Sequence, residues 1–276
     1  MLLHIRHETV YRYEQPVKQS VQSLRLTPRR EQRQRTLNWQ VQAPGRRTEQ
    51  VDGHGNVTHL LTVDEPHQEI RLVVSGAVDV PDAGPFNGER GTISPLAYLA
   101  TTPLTAADER IRQLASQHLP EVPDVGEPLA ALAAAVCAAV SYRPGATTVS
   151  DTAMSALGRG EGVCQDQTHV FIAACRAAGV PARYVSGYLH DGERSDIASH
   201  AWADVWLESA SAWYGIDVTH AAPVGGHHCR LAVGRDYLDA APVRGVRRGG
   251  GKETLEVSVL VAAEAPHGPP PGQSQQ

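Results

Sequence analysis

The sequence predicts an α+β protein. Helices pack on an antiparallel sheet with a cysteine at a helix N-terminus, and a small antiparallel β-sandwich precedes them. Three observations lead there. Residues 1 to 80 read as strands separated by turns, residues 105–178 contain helical runs, and residues 183–217 read as strands rich in aromatic and apolar side chains. The implied division is a β domain at 1–80, a Pro- and Gly-rich linker at 81–104, a core at 105–263 and a disordered tail at 264–276.

In the first domain, segments 2–13, 37–41, 57–63 and 70–74 are strand candidates, and Gly53-His54-Gly55-Asn56 is a tight turn. The arginines at Arg25, Arg29, Arg30, Arg33 and Arg35 read as a solvated face, with a docking surface for an acidic protein partner as the sharper alternative. After the linker, Thr105 can cap a helix running to His118. Pro128 starts a second helix that ends near Tyr142, and Ser150 or Asp151 caps a short third one before the glycine-rich 158–162 loop. Segment 165–178 lacks Gly and Pro, carries Val170, Ala173, Ala174 and Ala177 at helical spacing, and stops at Gly179 with Pro181 beyond. Strands follow at 183–189, 200–207 and 213–217, with a last one at 252–262.

This arrangement gives three residues a chemical reading. Cys164 follows Gly160-Glu161-Gly162-Val163 and begins the 165–178 helix. Unpaired backbone N–H groups at a helix start stabilise a thiolate and can hold an oxyanion. His200 begins one strand and Asp217 ends the next. A hairpin brings such ends together, so imidazole and carboxylate are expected side by side. A thiol, a base and an orienting carboxylate are the parts of a nucleophilic acyl-transfer site. The plainer readings are a buried structural cysteine and a surface histidine; the preceding glycines, the helix start and the hairpin favour the catalytic one. His169 is five residues beyond Cys164 on another helical face, so His200 is the preferred base.

The runs GEGVCQDQTHVFIAACRAAGVPARYVSGYL, SHAWADVWL and WYGIDVTHA resemble the transglutaminase-like superfamily of cysteine acyl transferases and proteases. HIRHETVYRYEQPVKQSVQSLRLTPR, DGHGN and AVGRDYLDAAPVRGV resemble the bacterial members that carry an extra N-terminal β domain. The resemblance implies a papain/transglutaminase-like core with Cys164 as nucleophile, His200 as base and Asp217 as orienting carboxylate. It also implies a peptide or protein amide substrate, attacked to give a thioester, with hydrolysis favoured over transamidation. A transamidating enzyme and a catalytically silent binding protein on the same fold are the alternatives. Gln167, Ala212 and Val218 depart from the family pattern without removing a reacting group. Arg235, Asp236 and Tyr237 are placed near the site by resemblance alone. Around the triad, Tyr142 and Gln165 are oxyanion-donor candidates, Trp202 is a core residue or a groove wall, Asp166 supports the helix start and Asp204 points outward.

Composition narrows the remaining classes. The 276 residues carry a net charge of −5, with 41% hydrophobic and 20% charged residues. That describes a globular protein without a general attraction to nucleic acid or anionic membrane. Early charges at Arg6 and Glu8 and the short, Ala-rich 129–140 run point to a cytoplasmic protein. The four cysteines, Cys137, Cys164, Cys175 and Cys229, form no C-x-x-C pair, and Cys137 and Cys175 read as buried fillers. His220, His227, His228 and Cys229 cluster in sequence, but their spacing matches no regular zinc pattern; no metal and no cofactor are expected.

Overall fold

The computed structural model describes residues 1–89, 91, 93–119, 126–192 and 199–264. The tail beyond 264 and most of the polar 190–198 turn lie outside them.

A seven-stranded sheet is built around one long strand, Leu2–Leu24. Its first half pairs antiparallel with Glu253–Glu264 on one side and His67–Asp79 on the other. Past a register shift between Arg12 and Val17, its second half pairs with Val243–Gly249 and Val57–Val63. Arg35–Gln42 and Arg46–Val51 complete the edges. Leu24 and Leu61 from one half pack with Ile70 and Leu72 from the other in one cluster, so a continuous sheet doubles over its own core. The expected sandwich is therefore one hydrogen-bonded sheet folded on itself.

The membership of this sheet reaches beyond the expected β domain at 1–80. Residues 243–263 fall within the expected core and residue 264 within the expected tail, yet both strands of this stretch pair with Leu2–Leu24. This sheet thus draws on two stretches that are far apart in sequence. Arg46–Val51 escaped the sequence reading because every residue in it is exposed, which erases the period-two pattern.

In the core, four helices cover a second antiparallel sheet. They are α1 (Glu109–His118), α2 (Gly126–Ala139), α3 (Ala153–Arg159) and α4 (Cys164–Ala177). The sheet runs in the order Ala222–Pro223, Ala212–Asp217, Ser199–Leu207, Ala182–Leu189, His228–Gly234. Ala201, Ala203, Val205 and Ile216 pack against the helices, while Leu231, Cys229 and Tyr188 pack against Leu3, Ile5 and Val78 of the N-terminal sheet. Cover on both faces explains why Ala182–Leu189 and Ala212–Asp217 are buried at every position instead of alternating. The caps differ slightly from expectation. Asp108 caps α1 through the Ile111 N–H, with Thr105 ending a preceding 3₁₀ turn, and Thr152 caps α3.

Helix α4 is buried along its length from Asp166 to Arg176, and its longer polar side chains find partners, while Thr168 Oγ1 has none among the described residues. Gln167 Nε2 donates to the Val140 carbonyl at 2.8 Å, and its Oε1 accepts from Thr219 Oγ1 at 2.8 Å. Arg176 donates to the carbonyls of Ala182 and Arg235 and to Thr105 Oγ1. His169 is fully buried and accepts the Tyr237 N–H at 3.1 Å on Nε2. Burial, with help from the Arg176 charge, lowers its pKa to about 3, so it stays neutral.

A buried ionic network joins the two domains and overturns two expectations. Asp204 is 0% exposed instead of pointing outward; it binds Arg183 Nε at 2.9 Å and Arg230 Nη2 at 3.0 Å. Arg29 is not solvated either: it pairs with Glu89 and Glu31 and donates to Asn56 Oδ1 at 2.7 Å. Arg30 and Arg35 do remain exposed. The predicted 53–56 turn reaches into the core, where Asn56 exchanges hydrogen bonds of 2.8 Å with both backbone groups of Val233.

Candidate active site

The approach to Cys164 is set by local chemistry. Gly160 ends α3 in the left-handed conformation, φ 75°, which a side chain resists. Residues 161–162 then pair in parallel with 141–142, which holds Tyr142 beside the segment leading to the cysteine. Asp166 folds back from the first turn of α4, accepting the Val163 N–H at 2.8 Å and Thr147 Oγ1 at 2.6 Å. Gly162 is required by that fold-back, since a Cβ there would lie 2.7 Å from Asp166 Cβ. The result is a half-buried thiol on the first residue of a 14-residue helix. The N–H groups of Cys164 and Gln165 have no acceptor within the helix and are available to an anion. The Tyr142 side chain is 40% exposed. Burial, and then the Cys164 charge, raise its pKa, so its hydroxyl stays protonated.

The predicted hairpin brings His200 to Asp217. Ser199–Leu207 and Ala212–Asp217 pair antiparallel, with Ala203 opposite Ile216, and His200 Nε2 lies 2.8 Å from Asp217 Oδ2. Both side chains are 1% exposed. His200 Nδ1 is buried and has no hydrogen-bond partner among the described residues; Cys164 is the neighbour that acts on this ring besides Asp217. Burial alone would lower the His200 pKa. The interactions with Asp217 and Cys164 outweigh it and push the pKa up to about 10. Asp217 responds in the opposite sense: burial favours its neutral form, but three imidazoles hold it as a carboxylate.

Sequence reading reaches the first of these imidazoles, His200; it notes His220 and His228 as a cluster without linking either to Asp217. His220 Nδ1 and His228 Nε2 also reach Asp217 Oδ2, at 2.8 and 3.0 Å. The His220 backbone N–H adds a 3.3 Å contact to Oδ1. The Gly225 N–H donates to His228 Nδ1 at 3.3 Å, which assigns the ring proton to Nε2. His200, Asp217 and His228 bring ligand-type atoms within 4.8 Å of one another, so they are the group best placed to hold a metal ion. A metal would need His228 Nε2, the nitrogen that Gly225 leaves protonated. The set is therefore arranged for hydrogen bonding to Asp217.

The remaining candidates divide clearly. Trp202 is a packing plate: it is fully buried among Val185, Val224 and Val233 and meets the His228 ring edge-on at 5.2 Å. Its place in that cluster removes it from a groove wall and from oxyanion contact. His227 stacks on His190 at 6.2 Å in a cavity of about 240 Å³ that also exposes Asp217, His220 and His228. Cys229 points to the junction with the N-terminal sheet, where burial raises its pKa. Cys175 is buried in the core, and Cys137 donates to the Val218 carbonyl at 2.8 Å. Asp236 caps the short α5 (Tyr237–Ala240), and Arg235 pairs with Asp239. These groups support the back of α4 through Arg176 and His169.

Comparison with known proteins assigns this geometry to a family. Residues 3–79 match the bacterial transglutaminase-like N-terminal region, and residues 112–218 match the transglutaminase-like superfamily core. An uncharacterized protein of Mycobacterium leprae is 30% identical over 94% of this chain and 98% of its own length. The chain belongs to the transglutaminase-like superfamily. A second relative, an uncharacterized protein of Mycobacterium tuberculosis strain H37Rv, is 33% identical over 88% of this chain and 86% of its own. Among solved structures, a "Putative Cysteine Protease" from Cytophaga hutchinsonii shares the fold, with a TM-score of 0.76 and 21% identity. That match covers 95% of this chain and 90% of the other. No helix among the described residues is long and apolar enough to cross a membrane.

Proposed function

We propose that the protein is a thiol-dependent acyl-transfer enzyme acting on carboxamides of peptides or glutamine side chains. One observation carries this reading: a thiol at the start of α4 faces an imidazole whose far nitrogen is held by a buried carboxylate. His200 Nδ1 takes the Cys164 proton, and the sulfur attacks the carbonyl carbon to form a C–S bond. The oxyanion is held by the Cys164 and Gln165 N–H groups, with the Tyr142 hydroxyl as a further donor. His200 then protonates the departing nitrogen as the C–N bond breaks, leaving a thioester. Water, deprotonated by the same imidazole, adds to the thioester and releases a carboxylic acid and the free thiol. An amine in place of water gives transamidation through the same first half-reaction. Hydrolysis is the favoured outcome because water needs no acceptor site of its own.

The test is alkylation by iodoacetamide, mapped by mass spectrometry, together with hydrolysis of a panel of peptide and glutamine amides. Cys164 should label at least about 100-fold faster than Cys137, and His200→Ala should remove most of that advantage. Cys164→Ala should lower amide turnover by about 10³-fold or more. Equal, slow labelling of all four cysteines, or full turnover by Cys164→Ala, would overturn the proposal.

A further inference from the structure

Three imidazole nitrogens converge on one oxygen, Asp217 Oδ2, at 2.8, 2.8 and 3.0 Å. A single carboxylate oxygen offers two lone pairs, so the cluster exceeds what orienting His200 requires. The two additional rings differ in kind. The His220 side chain is 44% exposed and sits three residues after Asp217 in the same turn. The His228 side chain is 11% exposed and arrives from a different strand.

Every contact of His228 fixes it. The Gly225 N–H occupies Nδ1, which leaves that nitrogen no room for a proton. Trp202 meets the ring edge-on and sets its plane. The Nε2–H is thereby aimed at Asp217. We infer that His228 is a positioning residue of the site: a neutral imidazole, locked in one tautomer by Gly225, whose Nε2–H holds the Asp217 carboxylate in place for His200. His228 touches neither the thiol nor the reacting carbon in this scheme and acts only through Asp217. A neutral donor suits the task. It supplies a hydrogen bond to the carboxylate without adding a second positive charge beside a protonated His200. This role rests on the acyl-transfer reading above.

Two substitutions separate donation from packing. His228→Phe keeps a ring against Trp202 and loses the donor. His228→Gln loses the ring and places an amide N–H near the position of Nε2. The readout is the iodoacetamide rate at Cys164 in the full-length protein. The Phe variant should slow it by about tenfold or more and the Gln variant by no more than about threefold. Wild-type reactivity in His228→Phe, or an equal loss in both variants, would overturn the inference. A measurement on the unaltered protein covers the case in which a variant does not fold: ¹⁵N imidazole NMR between pH 6 and 8. His228 should be neutral with its proton on Nε2. A charged ring or an Nδ1–H tautomer would overturn the inference. The groups that face it are Asp217, His200 and His220 on the Nε2 side and the Gly225 N–H on the other; His190, Asp191 and His227 share one adjoining cavity, and Glu31, Arg33 and Arg230 share another. The two readings fail separately. If His200→Ala does not slow alkylation, the acyl-transfer reading fails. If it does and His228→Phe does not, only the role of His228 fails.

Discussion

Asp204 and Asp217 are both carboxylates buried in the core sheet, and their surroundings could hardly differ more. Asp204 is held by Arg183 and Arg230 in the layer that joins the two domains. Asp217 is held by His200, His220 and His228 at the open end of the same sheet. Guanidinium groups keep their charge at any pH a protein survives, so the first cluster is a fixed electrostatic joint. Imidazoles gain and lose protons near neutrality, so the second can take part in proton transfer. One fold thus uses the same acid twice, and the identity of the partner base decides between holding and reacting.

Exchanging each carboxylate for its amide sharpens this contrast. Asp217→Asn should cut amide turnover by about 10³–10⁴-fold, because a carboxamide supports the wrong tautomer of His200. Its stability should fall less than that of Asp204→Asn, which strands two buried arginines at a cost of about 3–5 kcal/mol. Urea denaturation and amide turnover, measured on both variants, read the two effects. The comparison breaks if Asp204→Asn loses reactivity while remaining fully folded.

A smaller effect comes from an imidazole without a carboxylate. His7 lies between the sheets, with Nδ1 2.8 Å from the Tyr188 hydroxyl and Nε2 2.9 Å from Thr9 Oγ1. Burial lowers its pKa to about 4, the reverse of His200. The unfolded chain binds this proton more readily than the folded one. Stability is therefore complete above about pH 6.5 and is lost as pH falls toward 4, by about 3 kcal/mol for this group. His7→Gln should remove that part of the slope in a series of unfolding curves. An unchanged slope would show that the ring is not held neutral.

Much of the site could be read from sequence because its first parts are local. The glycines before Cys164, the uninterrupted run after it and the short hairpin from His200 to Asp217 each fix a geometry within a few residues. His228 had no such signal. It reaches Asp217 only because His228 pairs with Leu189 across the sheet, a register that no nearby residue specifies. Gln167 departs from the family pattern, but its link from Val140 to Thr219 spans three elements. The arginines failed for a related reason: Arg29 and Arg30 are neighbours in sequence, and only packing makes one an interface residue and the other solvated. The domain limits likewise depended on where segment 243–264 finds a partner.

That last pairing has a consequence for how the molecule is made. Leu2 is hydrogen-bond neighbour to Glu264, and the register runs without a break to Tyr13 opposite Glu253. During synthesis the opening strand leaves the ribosome long before the segment that completes one of its edges exists. For most of translation that edge of the sheet is bare, while the 105–240 region can already assemble around α4. The order of emergence and the order of completion are therefore inverted. Of the two sheets, the one begun earlier is finished later, and a chain released early exposes an open strand edge of the kind that invites aggregation.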